Sequence, residues 1–486
     1  MPDVPLIEQC GMLVAESASR RGAEYADLRV VRISTEGISL TNGVTDLLDR
    51  QTSYGFGVRV LANGAWGFAA RPGLSLKDVD AALGDAIEIA KASALLVQNQ
   101  LILPKRTAVK GEYKTPFATD PFAVPLTEKV DFLQSLCGTM SATQGVTSSE
   151  AFLDFRREEK WFFDSYGSQI TQMILHSGGG INAAARQGRH GGGSRSYPTS
   201  GGQHVSGGYE AILALKLEDA CRRVAEEAVA LMNAPALPEM TTNLILSGDL
   251  VSLQIHESIG HPLELDRVFG SERNFSGTSF ATPDQVGSLK YGSDIVTVTC
   301  DPTAPGGLGT YGYDDEGVET YQAPLIDQGV LVNYLSSRES AQRIGKQSTA
   351  AMRAESWRDL PLVRMANTNL RPGFGTLEEL IADTDEGVLI ETPANWSIDD
   401  RRENFQLGGE IAWEIKNGQR GQMYGNAVYS GNTVAFWNSC ERICGPEEWR
   451  IWGTPNCGKG QPGQNMRTGQ GASPARFTKI KVGQSG

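Results

Sequence analysis

Beyond residue 239 the chain consists of short β-rich runs broken by turn residues: "TNLILS", "DIVTVTCD", "GVLVNYL", "GVLIET" and "GGEIAWEIKNGQ". Runs of this length, rich in β-branched residues and bounded by Gly, Asn and Asp, are strands, and only a few helices interrupt them. The second half is therefore expected to be mostly antiparallel sheet.

The first half mixes both signals. Leu6, Cys10, Leu13 and Val14 share one face of a helix from Leu6 to about Ser19. In "VRVLANGAWGFAA" the Asn63-Gly64 pair marks a tight hairpin in an antiparallel sheet. Ser75, with Asp78 three residues on, starts an amphipathic helix carrying Val79, Leu83, Ile87 and Ala90. Pro104 to Pro125 is a connecting stretch, and Val130, Leu133, Cys137 and Met140 then mark another helix. Strand-like runs at Phe152–Phe155, Trp161–Phe163 and Ile170–Leu175 complete the sheet. Residues 177–208, rich in glycine, are expected to form a long loop, either mobile or in contact with substrate. It lacks the Gly-Lys-Ser/Thr of a phosphate loop.

The helix "LEDACRRVAEEAVALMN" ends before a linker stiffened by Pro235 and Pro238. With 486 residues to distribute, the expected architecture is α+β in two domains. Residues 1–234 form an N-terminal domain with an antiparallel sheet and flanking helices. Residues 239–486 form a mostly antiparallel β domain with one motif helix.

Charge narrows the partners. Acidic residues outnumber basic ones 57 to 44, the net charge is −13, and no Lys/Arg block stands out, which argues against nucleic acid or an anionic membrane. Peptides or small molecules remain. The N-terminus does not have the pattern of a signal peptide, and no stretch reaches the roughly 18 apolar residues of a membrane span, so a cytoplasmic location is expected. Seven scattered cysteines fit a reducing compartment. Cys440 and Cys444 in "CERIC" have no second pair to complete a zinc site and are assigned to structure.

The stretch that carries chemistry is "HESIGH", residues 256–261. In the zinc-protease signature H-E-x-x-H the histidines are four residues apart, roughly 40° around a helix. Here they are five apart, which turns a regular helix by roughly 140° and aims the imidazoles away from each other. A shared metal therefore requires the helix to widen between them, as in one π-like turn. Gly260 before His261 and Pro262 after it are assigned the freedom to do so. Asp249 is expected to cap this helix. Two histidines at a helix end also suit a hydrogen-bonded structural pair.

A catalytic zinc needs three protein ligands and an open position. The sixth residue after the second histidine, where an extended motif would place a third, is Arg267. His176, His190 and His204 lie in or beside the glycine-rich stretch, which leaves a carboxylate, Glu264 or Asp266, or a cysteine. Cys457, in "PNCGKG", sits in what reads as an exposed Pro/Gly turn beside Lys459, a setting that favours thiolate.

These stretches resemble the TldD/PmbA family of metallopeptidases, specifically its TldD-type members. The resemblance rests on "HESIGHPLELD", "YDDEGVETYQAPLIDQGVLVNYLSSRESAQRIG", "DLPLVRMANTNLRPG", "GGEIAW" with "GNAV", and "CGKGQPGQ", and more weakly on "GFGVRVLANGAWGFAA". It implies zinc bound by His256, His261 and Cys457, with Glu257 as general base. Glu264 or Asp266 would orient a histidine from behind. The implied activity is hydrolysis of unfolded or leader-type peptides. The implied assembly is a dimer, with a second copy or with a PmbA-type paralogue lacking the motif. Pro262 and the polar "QNMRTGQG" depart from the family form and bear on pocket shape. Two other functions fit the same residues: an amide hydrolase tailoring a small or modified peptide, or a non-catalytic zinc-stabilised modulator.

Overall fold

Two Asn-Gly pairs set the register of the first-half sheet. Asn42 and Gly43, and Asn63 and Gly64, all take positive φ (52°, 77°, 52° and 71°), as two-residue hairpin turns that match strand twist require. The computed structural model describes residues 3–97, 100–187 and 191–484. Its first sheet runs in the order Ala65–Pro72, Val44–Ala62, Tyr25–Thr41, Val146–Asp164, Gln169–Gln187, Lys110–Lys114, and Gly191–Tyr197 and Gln203–Ser206 also pair with Gln169–Gln187. All pairs but the one to Lys110–Lys114 are antiparallel.

Alternation decides what each face meets. Leu28 and Val30 lie near one end of their strand and Ile38 and Leu40 near the other, all on one face. Helices Val4–Ser17 and Leu76–Ala94 cover the first pair, and Leu126–Ser141 and Leu217–Leu231 cover the second. Helix Leu76–Ala94 starts at Ser75, whose side chain accepts the Asp78 N–H, as expected. It packs tightly on the sheet: a Cβ on Gly67 would lie 2.0 Å from the Ala86 carbonyl oxygen. Gly67→Ala should therefore lower stability by about 1–3 kcal/mol, read as an earlier urea midpoint at unchanged slope. An unchanged midpoint would show that helix and strand do not touch there.

The opposite face of the sheet is polar and buried. Arg59 bonds Asp27 at 2.7 Å and Glu316 at 3.2 Å, and Lys160 bonds Asp315 at 2.7 Å. The strand face and the "DDE" segment 314–316 of the second half thus join through paired charges. This arrangement also corrects the strand reading. Runs 152–155 and 161–163 belong to one 19-residue strand, Val146–Asp164, because the polar residues between them face charges rather than an apolar core. The glycine-rich segment is likewise no long loop. Gly178 and Gly179 pair with His204 and Gln203, and a Cβ on Gly178 would meet the His204 ring at 2.0 Å. The glycines admit a neighbouring strand. His190 lies outside the described residues.

In the second half, Glu386–Ile398, Met240–Leu246, Ala475–Gln484, Ala427–Asn432 and Asn404–Lys416 pair in sequence, and the last pairs again with the first, closing a barrel. Only Met240–Leu246 with Glu386–Ile398 is parallel. The α+β expectation holds, with antiparallel pairing dominant. Leu250, Val251, Ile255 and Ile259 of the motif segment pack into the main core with Leu244 and Leu246. All seven cysteines are free and buried. Among the described residues no helix is long and apolar enough to cross a membrane.

Candidate metal centre

The motif helix leaves the barrel strand Met240–Leu246 at Ser247 and runs from Gly248 to Ile255. Ser247 is the capping residue. Asp249 sits in the first turn instead, accepting from the Ser247 hydroxyl and from the Leu250 N–H. Residues His256–Gly260 then form a π-helical turn in which the His261 N–H donates to the His256 carbonyl, five residues back. The widening required by the five-residue spacing is present. Its result is that the two imidazole centroids lie 4.9 Å apart with planes at 86°.

Gly260 acts differently from the expectation. Its φ of −57° and ψ of −65° are ordinary for a helix, so conformational freedom is not what the position needs. A Cβ there would lie 2.0 Å from the Met365 sulfur, and the residue must be small so that segment 362–370 can pack against the turn.

Cys457 comes from the far end of the chain, on the strand Arg450–Lys459, which pairs with Gln464–Ala472. An irregularity between Thr454 and Cys457 shifts the register just before it. The residue is 4% exposed, so it is a buried side chain on a strand and does not sit in an exposed turn. Its Sγ lies 3.5 Å from His261 Nε2, and donor atoms of His256, His261 and Cys457 all lie within 4.8 Å of one another.

Charge organises the group. Burial alone would raise the Cys457 thiol, but His256, Arg364 and His261 outweigh it and hold the thiol well below its ordinary value. Burial would lower His261, but the Cys457 thiolate and the Glu264 carboxylate push it up to about 9. The cation by the thiolate is thus Arg364, which donates to the Cys457 carbonyl, rather than Lys459. The Lys459 ammonium turns to the carboxylates of Asp266, Glu264 and Glu272 at 2.6, 3.3 and 3.5 Å.

The two candidate supporting carboxylates separate. Glu264, fully buried, holds His261 Nδ1 at 2.9 Å, which leaves Nε2 facing the sulfur. Burial would raise its pKa, yet Lys459, His261 and Arg364 keep it strongly depressed. Asp266 touches no histidine. It binds Lys459, and burial leaves its pKa raised despite that contact. Glu257, 6% exposed, pairs with Arg402 of the loop between two barrel strands. Burial would raise this carboxyl, but His256, His261 and Arg402 lower it. Nothing local to "HESIGH" signals Arg402 or Arg364; each arrives by tertiary packing.

Two imidazoles and a thiolate make a donor set suited to a transition metal such as zinc. Their donor atoms already lie within 4.8 Å of one another. The residues present fit the group. His176 and His204 are buried in the first-half sheet and take no part in it.

Matches to known proteins run the length of the chain. Family models described as PmbA/TldA metallopeptidase domain 1, central domain and C-terminal domain match residues 26–94, 119–232 and 239–484. Metalloprotease MJ0996 of Methanocaldococcus jannaschii is 30% identical over 462 residues, 93% of this chain and 96% of the relative. The zinc metalloprotease TldD homolog of Saccharolobus solfataricus is 26% identical over 242 residues, 49% of this chain and 51% of the relative. The crystal structure of TldE from Thermococcus kodakarensis superposes with a TM-score of 0.72 at 15% identity, covering 98% of this chain and 99% of that one.

Proposed function

This chain belongs to the TldD/PmbA metallopeptidase family, and from that premise we propose that it is a zinc-dependent peptidase acting on unfolded or leader-type peptides. The observation that carries the reading is the convergence of His256, His261 and Cys457 beside the Glu257 carboxylate. A zinc-named relative supports the choice of metal.

His256, His261 and Cys457 would hold the ion. When bound, zinc would supply a Lewis acid that polarises a peptide carbonyl and acidifies water. The protein's own groups do the rest. His261 must lose its proton for Nε2 to serve as a donor, and Glu264 keeps the ring oriented from Nδ1. Glu257 would take the proton from attacking water and pass it to the leaving amine. Arg402 fixes that carboxylate in one orientation, at some cost to its basicity.

Family membership also supports a dimer, with a second copy or with a motif-lacking PmbA-type paralogue, and action in the cytoplasm. The functional test is turnover of an unfolded protein such as reduced casein before and after zinc is chelated. Cleavage that disappears with the metal and returns on adding zinc is expected. Turnover of a short defined amide while casein is ignored would replace this reading with that of a tailoring hydrolase. Casein cleavage unchanged after chelation would remove zinc from the reaction.

A further inference from the structure

One cavity is lined by chain neighbours of the candidate centre's residues. It encloses about 380 Å³, and its lining includes Asp249, Ser252, Leu253, Trp396, Trp452 and Asn456. Asn456 directly precedes Cys457. Ser252 and Leu253 precede His256 by four and three residues, so they lie on the helix face that presents this histidine. A group seated in the cavity is therefore about one helical turn from His256.

The lining has a specific chemistry. Among the described residues, Asp249 is the only charged one that lines it. The residue is 6% exposed, and its Oδ1 accepts from Ser247 and Leu250. Among the described residues, no hydrogen bond or cation engages its other oxygen. Trp396 is 57% exposed and overlooks the cavity without being part of the core. The Trp452 indole also lines it. A carboxylate with a free oxygen, two indoles and apolar walls suit a side chain with a long aliphatic stem and a cationic head, which gains from both charge pairing and aromatic surface.

We propose that this cavity is a substrate subsite selecting a basic side chain, Lys or Arg, next to the scissile bond, with Asp249, Trp396 and Trp452 as its specificity determinants. The proposal rests on the peptidase reading for its place in a reaction. Its recognition chemistry can be measured without turnover.

The probes are acetylated, amidated pentapeptides of alanine whose central residue is Arg, Lys, citrulline or norleucine. Their binding is followed by calorimetry on zinc-loaded Glu257→Gln protein. The Arg and Lys peptides should bind about tenfold more tightly than the neutral ones. Asp249→Asn should remove most of that preference and leave binding of the norleucine peptide unchanged, whereas Trp396→Ala should weaken all four peptides and also remove most of the preference. Trp396 is exposed enough for its replacement to leave the fold intact, so a failure of Asp249→Asn to fold would still leave a decisive variant. Equal affinity for all four peptides, or a preference that survives Trp396→Ala, would overturn the assignment. Selective binding with no cleavage by wild type would keep the subsite and remove the peptidase.

Discussion

Glu257→Gln should lower kcat on an unfolded protein by roughly a hundred- to ten-thousandfold, the range a positioned general base supplies, while zinc content and melting temperature stay at the wild-type level. The separation follows from the geometry. Glu257 is not among the three converging donors, and its carboxylate is held by Arg402. A glutamine of the same shape can still accept from that guanidinium but cannot take up a proton. KM should change little, because the substitution removes a proton acceptor and no binding surface. Metal analysis alongside single-substrate kinetics checks both halves. A variant that holds zinc and cleaves at the wild-type rate would take Glu257 out of the chemistry and leave the group with a structural role.

Cys457→Ser should take zinc from about one ion per chain to a small fraction of that after dialysis, and turnover should fall with it. A serine hydroxyl is a poor ligand for zinc near neutral pH, whereas His256, Arg364 and His261 hold this thiol's pKa well below its ordinary value. The chain itself should stay folded. Cys457 lies on a strand whose partner Gln464–Ala472 is anchored independently, Arg364 donating to the Gln464 carbonyl at 3.2 Å. Near-wild-type far-ultraviolet circular dichroism in the zinc-poor variant is the expected control. Full zinc retention in Cys457→Ser would mean that a residue other than Cys457 completes the set. A wild-type chain that takes up no zinc even when it is supplied would mean that "HESIGH" carries no metal.

The motif could be read from the chain because its constraint is local. A separation of five positions from His256 to His261 forces a helix to widen if the rings are to meet, and a π turn is present at His256–Gly260. The hairpins at Asn42-Gly43 and Asn63-Gly64 were legible for the same reason: a two-residue turn needs positive φ where it stands. Cys457 could be singled out by its neighbours in sequence, yet the reason given for it was mistaken. Lys459 is two residues away along the chain but serves Asp266, Glu264 and Glu272, and the charges that act on the sulfur come from His256, Arg364 and His261.

The strand-rich second half, the Asn-Gly turns, the distorted helix and the residue types able to bind a metal are legible in the chain, since each depends on backbone preference or spacing within a few residues. Long-range packing sets the rest: that Glu264 and not Asp266 orients His261, that Arg402 holds Glu257, and that Gly260 is small because Met365 lies against it. It also turned the glycine-rich segment into paired strands, because Gly178 must admit His204. These outcomes share one physical cause. Electrostatic and steric contacts act over a few ångströms of space, and here they join residues as many as 330 positions apart, a separation to which propensity and periodicity are blind.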